Sequence, residues 1–307
     1  MAKKISVIIP VMNEEGNVHS ISEGLENTFR IIRHDYEIIF IDDGSTDNTL
    51  SEIKAEGERN NKIFYMSFSK NFGHQYALKA GLDESRGDCV ICMDGDMQHP
   101  PTLLPQMIEK WEEGYDIVYT VRKDHKEVPM LKRSTSNLFY NILNRLSDIE
   151  LESGTADFRL TDRNVVNVLR NFTELDLFWR GLIKWVGFKQ VSIEYQPLER
   201  RVGESKYTLK KMISFALKGI TSFSTKPLTI AIYLGFAFSL LSLLYIPYAL
   251  ISKYMGHVIS GWASIIVTIA FFGGLQLMIL GIIGTYLGKL FMQSKQRPHY
   301  IIKEKNL

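Results

Sequence analysis

Asp94 and Asp96 stand one residue apart after an apolar run, in Asp94-Gly-Asp96-Met-Gln98-His99-Pro100. Two carboxylates so spaced in a turn can share or flank a divalent cation, and hard oxygen ligands suit Mg2+ or Mn2+ bridging phosphates. The Gln98 amide offers a further oxygen. A plain surface turn would explain an isolated Asp-x-Asp. Here three other apolar runs end in the same kind of cluster: Pro10-Val-Met-Asn13-Glu14, Asp42-Asp43-Gly44-Ser45-Thr46-Asp47 and Ser69-Lys70-Asn71-Phe72-Gly73. Asp42 or Asp43 can accept hydrogen bonds from a ribose or a uracil-type imide; the plainer role is to cap the helix that Thr46 or Asp47 begins. Asn13 and Glu14 carry the same two readings. His74 and His99 read as loop hydrogen-bonders rather than metal ligands.

The segments that position these groups alternate. Runs rich in β-branched residues recur at Ile5 to Val11, Tyr36 to Ile41, Ile63 to Phe68, Cys89 to Met93 and Ile117 to Val121, with helix-like stretches at about 15–33, 47–60, 72–86 and 101–114 between them. Such alternation predicts βαβ crossovers and a mostly parallel α/β sheet covered on both faces. Ligands of such sheets bind beyond the carboxyl ends of the strands, where the four clusters fall. From about 129 to 186 the pattern reads as mixed helical, with Ser153 to Leu160 as a loop, and a strand is expected at about 189–195. Cys89 and Cys92 form a Cys-x-x-Cys pair, but three residues apart on a strand they point to opposite faces and read as small core hydrophobes.

Charge and hydropathy divide the 307 residues unequally. The net charge is only +2, yet residues 1–199 hold 23 of the 36 basic and 32 of the 34 acidic residues, leaving the rest of the chain strongly basic. The composition excludes a disordered chain or a disulfide-stapled miniprotein, and no nucleic-acid motif is present. Leu228 to Ile251 and Tyr254 to Gly288 lack Asp, Glu, Lys and Arg, and each exceeds the roughly 20 residues that cross a bilayer. We expect two membrane helices, about 228–251 and 263–288. Basic residues flank the pair, and the connecting turn offers only Lys253 and His257, which places both termini and the N-terminal domain in the cytoplasm. Residues 207–223 form a basic amphipathic pattern suited to the bilayer interface. The expected organisation is a catalytic domain over 1–199, a juxtamembrane segment over 200–226, a hairpin over 227–290 and a basic tail over 291–307. Arg200, Arg201, Lys206, Lys210 and Lys211 can hold lipid headgroups electrostatically or recognise a phosphorylated lipid.

These motifs, with Ala156-Asp157-Phe158-Arg159-Leu160 and Arg201-Val-Gly203-Glu-Ser205-Lys206-Tyr207, resemble the polyprenyl-phosphate glycosyltransferases of glycosyltransferase family 2 over nearly the whole chain. The stretches Asp157 to Arg163 and Arg180 to Gln190 are most like the undecaprenyl-phosphate glucosyltransferase (GtrB) type; the ArnC type and dolichyl-phosphate mannose synthase are also similar. The resemblance implies a GT-A fold and inverting transfer of one hexose, glucose from UDP-glucose, to undecaprenyl phosphate at the inner face of the bacterial cytoplasmic membrane. It implies Mg2+ or Mn2+ at Asp94, Asp96 and Gln98, with Asp96, Asp157 and Arg159 catalytic. It places the nucleotide sugar against Pro10, Asn13, Glu14, Asp42, Asp43, Lys70 and Asp94, and the acceptor phosphate against Arg122, Arg133, Arg200, Arg201, Ser205 and Lys206. It also implies a homo-oligomer, a tetramer.

A lipid monophosphate has a second pKa near 6, so at neutral pH it is already largely anionic and hardly needs a base. Asp157 is therefore expected in the active site either as a base or as a group that orients Arg and Lys side chains. Another donor, GDP-mannose, UDP-GlcNAc or a modified UDP-pentose, is the alternative. A processive synthase fits less well, because Phe178-Trp179-Arg180-Gly181 lacks the Trp after Arg of the Gln-x-x-Arg-Trp motif. A non-catalytic scaffold would be expected to have lost one carboxylate of the metal pair.

Overall fold

The computed structural model describes residues 3–123, 152, 154–197, 221, 224–256 and 261–307. Its first half alternates as the sequence predicts: β1 Lys4–Val11, α1 Val18–Phe29, β2 Asp35–Asp42, α2 Thr49–Arg59, β3 Ile63–Phe68, α3 His74–Glu84, β4 Cys89–Cys92, α4 Leu104–Glu112 and β5 Ile117–Arg122. Then come β6 Thr155–Asp162, α5 Arg163–Arg170, α6 Trp179–Trp185, β7 Gln190–Tyr195, α7 Lys226–Tyr254, α8 Trp262–Ser294 and β8 Ile302–Lys305.

The eight strands form one sheet in the order β7-β5-β6-β4-β1-β2-β3-β8. β4, β1, β2 and β3 run parallel, while β6 and β8 are antiparallel to their neighbours. β1 is buried from Ile5 to Val11 because helices cover both faces, so its apolar residues run on without alternation. The two faces still divide by the strand period of two. Ile5, Val7 and Ile9 pack with Leu25, Ile53 and Met107, and Ile8 packs with Ala77, Val165 and Leu182. Cys89 and Cys92 divide in the same way, are buried and are free.

Two elements were not legible in the sequence. Ser153 to Leu160, expected as a loop, lies largely within β6, a central strand between β4 and β5. Its charged residues mimic a loop, yet Ala156, Phe158 and Leu160 alternate into the core while Asp157 and Arg159 are buried on the opposite face. Asp162 ends the strand and caps α5, its side chain accepting from Asn164 N–H at 2.8 Å. The second element is β8. Within the expected basic tail, residues 302–305 add an edge strand beside β3, fastened by Lys54–Glu304 at 2.6 Å and Lys305–Glu84 at 2.8 Å. Tyr300 stacks on Phe68 at 5.0 Å and bonds Asp83 through its hydroxyl at 3.1 Å.

α7 and α8 pack through Phe238 against Phe271 and Phe272, 5.6 Å between centroids in each case. Among the described residues, Ile265–Ser294 is long and apolar enough to cross a membrane, and Lys226–Leu241 is a shorter apolar stretch. Of the expected pair, then, one helix has the length and composition to span. Ile232, Phe236, Leu277 and Leu290 are among many large apolar side chains exposed along this pair. The juxtamembrane segment expected at 207–223 lies almost entirely outside the described residues.

Candidate active site

Because β4, β1, β2 and β3 are parallel, their carboxyl ends share one edge of the sheet, and antiparallel β6 brings its first residues, including Asp157, to that edge. The four predicted clusters therefore meet, although several of their members build the loops themselves. Pro10 is buried at the end of β1, beyond the last residue paired with β4, where its missing N–H leaves no gap in that ladder. Asn13 adopts φ 54° and fastens the first loop to the second: its N–H donates to Ser45 Oγ at 3.0 Å and its Oδ1 accepts from Thr46 N–H at 2.9 Å. Glu14 accepts from Asn17 Nδ2 at 2.7 Å.

Asp42 is buried and accepts from Ser45 N–H at 2.9 Å and Ser67 Oγ at 2.6 Å. Asp43 reaches the third loop, accepting from Phe72 N–H at 2.7 Å and Gly73 N–H at 2.9 Å. Burial pushes its carboxyl above the ordinary range despite those bonds. Neither acid caps α2, whose N-cap is Asn48; Asp47, one residue earlier, accepts from Thr49 N–H at 3.0 Å. Lys70 is exposed, its ammonium 5.1 Å from the centre of the Phe72 ring.

The Asp94 turn is held from below. Asp94 N–H donates to His99 Nδ1 at 3.0 Å, and the His99 ring, fully buried, stacks on Phe158 at 4.8 Å. Burial pushes the His99 pKa down and keeps the ring neutral, so its proton sits on Nε2. That Nε2–H is buried without a hydrogen-bond partner, 3.6 Å from Asp94 Oδ2. His99 is thus the loop hydrogen-bonder that the sequence suggested. Asp96 Oδ1 accepts from Gln98 N–H at 3.1 Å, closing the turn, with Met97 at φ 62°. Arg122, at the end of β5, donates through Nε to Tyr195 Oη at 3.1 Å, and the Tyr195 ring meets His99 edge-on at 5.9 Å. Arg133, Arg200, Arg201, Ser205 and Lys206 lie outside the described residues.

Two residues outside the expected site complete the arrangement: His74, expected as a loop hydrogen-bonder but placed in a helix, and Arg180. His74, first residue of α3, places Nε2 3.5 Å from Asp94 Oδ1 and 4.0 Å from Asp157 Oδ2, so one ring nitrogen faces both carboxylates. Arg180 of α6 donates to Asp157 through Nε at 3.3 Å and Nη2 at 3.2 Å. Arg159, buried, donates to the same carboxylate from the other side. Burial disfavours the Asp157 charge, but Arg180 and Arg159 beside it outweigh burial and hold its carboxyl far below the usual carboxylate range. Trp179 joins the helices that carry these residues, its indole N–H donating to Gln75 O at 2.8 Å and its backbone N–H to Gln75 Oε1 at 3.2 Å. The local hint was an Arg directly after a Trp at a helix start, which carries no chemistry until α3 lies beside it.

The site edge also faces the end of the long apolar helix. Gln293, near the end of α8, accepts from Leu175 N–H at 3.0 Å and donates to Thr173 O at 2.8 Å. The chain then passes His299, stacked on Tyr76, and enters β8 opposite Phe68, at the carboxyl end of β3.

The profile of glycosyl transferase family 2 matches residues 6–170, more than half of the chain and all of the sheet edge up to α5. The chain is a family 2 glycosyltransferase. The bactoprenol glucosyl transferase of Shigella phage SfV is 40% identical over 301 residues, 98% of each chain. The prophage bactoprenol glucosyl transferase homolog of Escherichia coli (strain K12) is 38% identical over the same length, again 98% of each. Among solved structures, the mannosyltransferase PcManGT from Pyrobaculum calidifontis, in complex with GDP-Man and Mn2+, superposes with a TM-score of 0.51 over 96% of this chain and 87% of that one, at 15% identity. That likeness shows a shared GT-A-like fold over almost the whole glycosyltransferase.

Proposed function

We propose that this glycosyltransferase moves one glucose from UDP-glucose to undecaprenyl phosphate, with inversion, at the cytoplasmic face of a bacterial inner membrane. The observation that carries the reading is full-length similarity, near 40%, to bactoprenol glucosyl transferases. The structure supports it by opening the site at the sheet edge where α8 returns to the catalytic domain, which is where a bilayer-held acceptor would arrive.

Asp94 and Asp96 fit a hard divalent cation. Both are carboxylates on a short turn at a strand end, partly accessible, and among the described residues no cluster of three His, Cys, Asp or Glu side chains offers a closed cage. Mg2+ and Mn2+ suit such a site, taking a few protein oxygens and completing their shell with phosphate and water; Gln98 is the third candidate. When bound, the ion supplies charge stabilisation for the departing diphosphate. The chain's own residues do the rest. The loops built by Asn13, Asp42 and Asp43 hold the nucleoside, and Arg122 draws the acceptor phosphate toward the sugar, with Arg133, Arg200, Arg201, Ser205 and Lys206 assigned to the same task. A phosphate oxygen then attacks the anomeric carbon from the face opposite the diphosphate. A carbon–oxygen bond to the lipid phosphate forms as the bond to the diphosphate breaks, and the electron pair leaves with UDP. α7 and α8 form a two-helix membrane hairpin with both ends on the cytoplasmic side, and the protein works as a homo-oligomer.

The test is incubation of the purified protein with undecaprenyl phosphate, Mg2+ or Mn2+ and a panel of radiolabelled nucleotide sugars. Chloroform-extractable label from UDP-glucose is the expected result. Label from GDP-mannose, UDP-GlcNAc or a UDP-pentose alone would overturn the sugar, and no label from any donor would overturn the reaction. Full turnover by Asp96→Asn would overturn the metal assignment.

A further inference from the structure

α8 is longer than a membrane requires. It runs for 33 residues, about 50 Å, against a hydrocarbon core about 30 Å thick. A span of about 20 residues counted from Ile265 ends at Gly284. Beyond that point Tyr286, Lys289 and Gln293, spaced by three and four, share one face of the helix. Each holds another part of the chain. Tyr286 Oη donates to Ser224 O at 2.7 Å, just before α7 begins. Lys289 pairs with Asp176 at 2.9 Å. Gln293 takes two main-chain groups of the loop that leads into α6, accepting from Leu175 N–H at 3.0 Å and donating to Thr173 O at 2.8 Å. Leu287 and Phe291, turned away from that face, are exposed.

The loop gripped in this way is continuous with the active site. Tyr76 of α3 donates through its hydroxyl to Leu175 O and stacks on His299 at 5.5 Å, and His299 Nε2 lies 3.2 Å from Thr173 O. A few residues on, Trp179 is bonded to Gln75, which stands between His74 and Tyr76, and Arg180 is bonded to Asp157. The first turns of α3 and α6 and the last turns of the membrane helix therefore form one block. No linker separates the membrane helix from the loop it holds.

We propose that Gln293 is a positioning residue that bolts the α3–α6 block to α8 and so fixes the height of the site above the bilayer. The inference rests on the proposed transfer to a membrane-held acceptor. Such an acceptor moves in the plane of the membrane, but its phosphate stays at one depth. Reacting atoms must come within about 3–3.5 Å of each other, and a misplacement of about 1 Å can cost about a hundredfold in rate. A domain on a slack tether would meet the phosphate at the right depth only part of the time. A rigid helix end, hydrogen-bonded to the loop that carries the site, holds that depth constant.

The experiment uses the full chain in lipid nanodiscs with two acceptors: undecaprenyl phosphate held in the bilayer, and geranyl phosphate, short enough to stay in solution. Gln293→Leu removes both hydrogen bonds and keeps a side chain of similar bulk. Its kcat/KM for undecaprenyl phosphate should fall about tenfold, the worth of the two bonds lost. Its kcat/KM for geranyl phosphate and its KM for UDP-glucose should stay within about twofold of wild type. Equal losses with both acceptors would mark a general structural defect and overturn the proposal, as would unchanged transfer to undecaprenyl phosphate. If wild type does not use geranyl phosphate, the split is read between the two substrates of the natural reaction. A rise in KM for undecaprenyl phosphate alone then supports the proposal, and an equal rise for UDP-glucose overturns it. Amide hydrogen exchange over residues 173–180 is measured beside the kinetics and should quicken in Gln293→Leu. Unchanged exchange would show that Gln293 does not hold the loop and would overturn the proposal whatever the reaction proves to be. Absence of wild-type transfer to either acceptor would instead sink the glucosyl reading, and the exchange measurement would still decide whether the joint exists.

Discussion

The imidazole of His99 is buried directly beneath the Asp94 turn, and its removal should be read first as a loss of positioning. His99→Ala deletes three things at once: the acceptor for Asp94 N–H at 3.0 Å, the stack on Phe158 at 4.8 Å, and the volume of a ring with no exposed surface. An orphaned buried N–H costs about 1–3 kcal/mol and an aromatic pair about 0.5–1.5 kcal/mol. With the cavity the total falls near the 3–5 kcal/mol typical of a large ring cut to alanine. At about 2–4 °C per kcal/mol for a domain of this size, the variant should melt roughly 6–20 °C lower. Asp94 then loses its lower support, and groups that orient metal ligands are worth about 10–100-fold in metal affinity. His99→Asn separates the effects, because its Oδ1 can take the place of Nδ1 and accept the Asp94 N–H while the stack is lost. The assay is the Mn2+ concentration for half-maximal glucosyl transfer, measured beside thermal unfolding in detergent. The alanine variant should need at least tenfold more Mn2+, and the asparagine variant should recover most of that while still melting low. Equal metal dependence in the two variants, or an unchanged Mn2+ requirement in His99→Ala, would refute the reasoning.

Four further outcomes follow from the geometry. A Cβ on Gly87 would stand 2.6 Å from Ser6 N and 2.8 Å from Lys4 O, at the end of the sheet away from the site, so Gly87→Ala should lose about 2–4 kcal/mol with KM for both substrates unchanged. Burial pushes the Cys92 thiol up to about 12 and Cys89 higher still, so at pH 8 only about one in 10⁴ Cys92 side chains is a thiolate and iodoacetamide should label neither until the protein is unfolded. Burial works against the Glu37 charge, but Lys4 at 2.5 Å, Ser6 Oγ and Arg86 N–H outweigh it and hold the carboxyl below its ordinary range. Its stabilising contribution is therefore full above the unfolded value near 4.3 and lost as pH falls through the folded one, and Glu37→Gln should narrow the melting difference between pH 7 and pH 4. Tyr300→Ala removes the stack on Phe68 and the bond to Asp83, so limited proteolysis should reach residues 298–307 in the native protein; a tail as resistant as wild type would show that β8 is held without it.

The sequence by itself determined the parallel half of the sheet and the four polar strand ends. Continuous β-branched runs such as Val7-Ile-Ile9 can be buried on both faces only in such a sheet, and the Asp, Asn and Gly residues that follow them are local turn formers. Tertiary structure decided everything that depends on partners far along the chain. β6 carries Asp157 and Arg159, whose charges look like those of a loop until Arg180 and His74 close around the carboxylate from two different helices. Asp42 and Asp43 are neighbours with identical side chains, yet one bonds Ser67 and the other the amides of Phe72 and Gly73, a difference no spacing encodes. The four residues of β8 are too short and too charged to announce a strand, and they become one because β3 offers an unpaired edge where α8 returns. Hydrophobic periodicity records which side of an element meets the core. The pairing of buried charges records which elements meet one another, and only the folded chain brings those together.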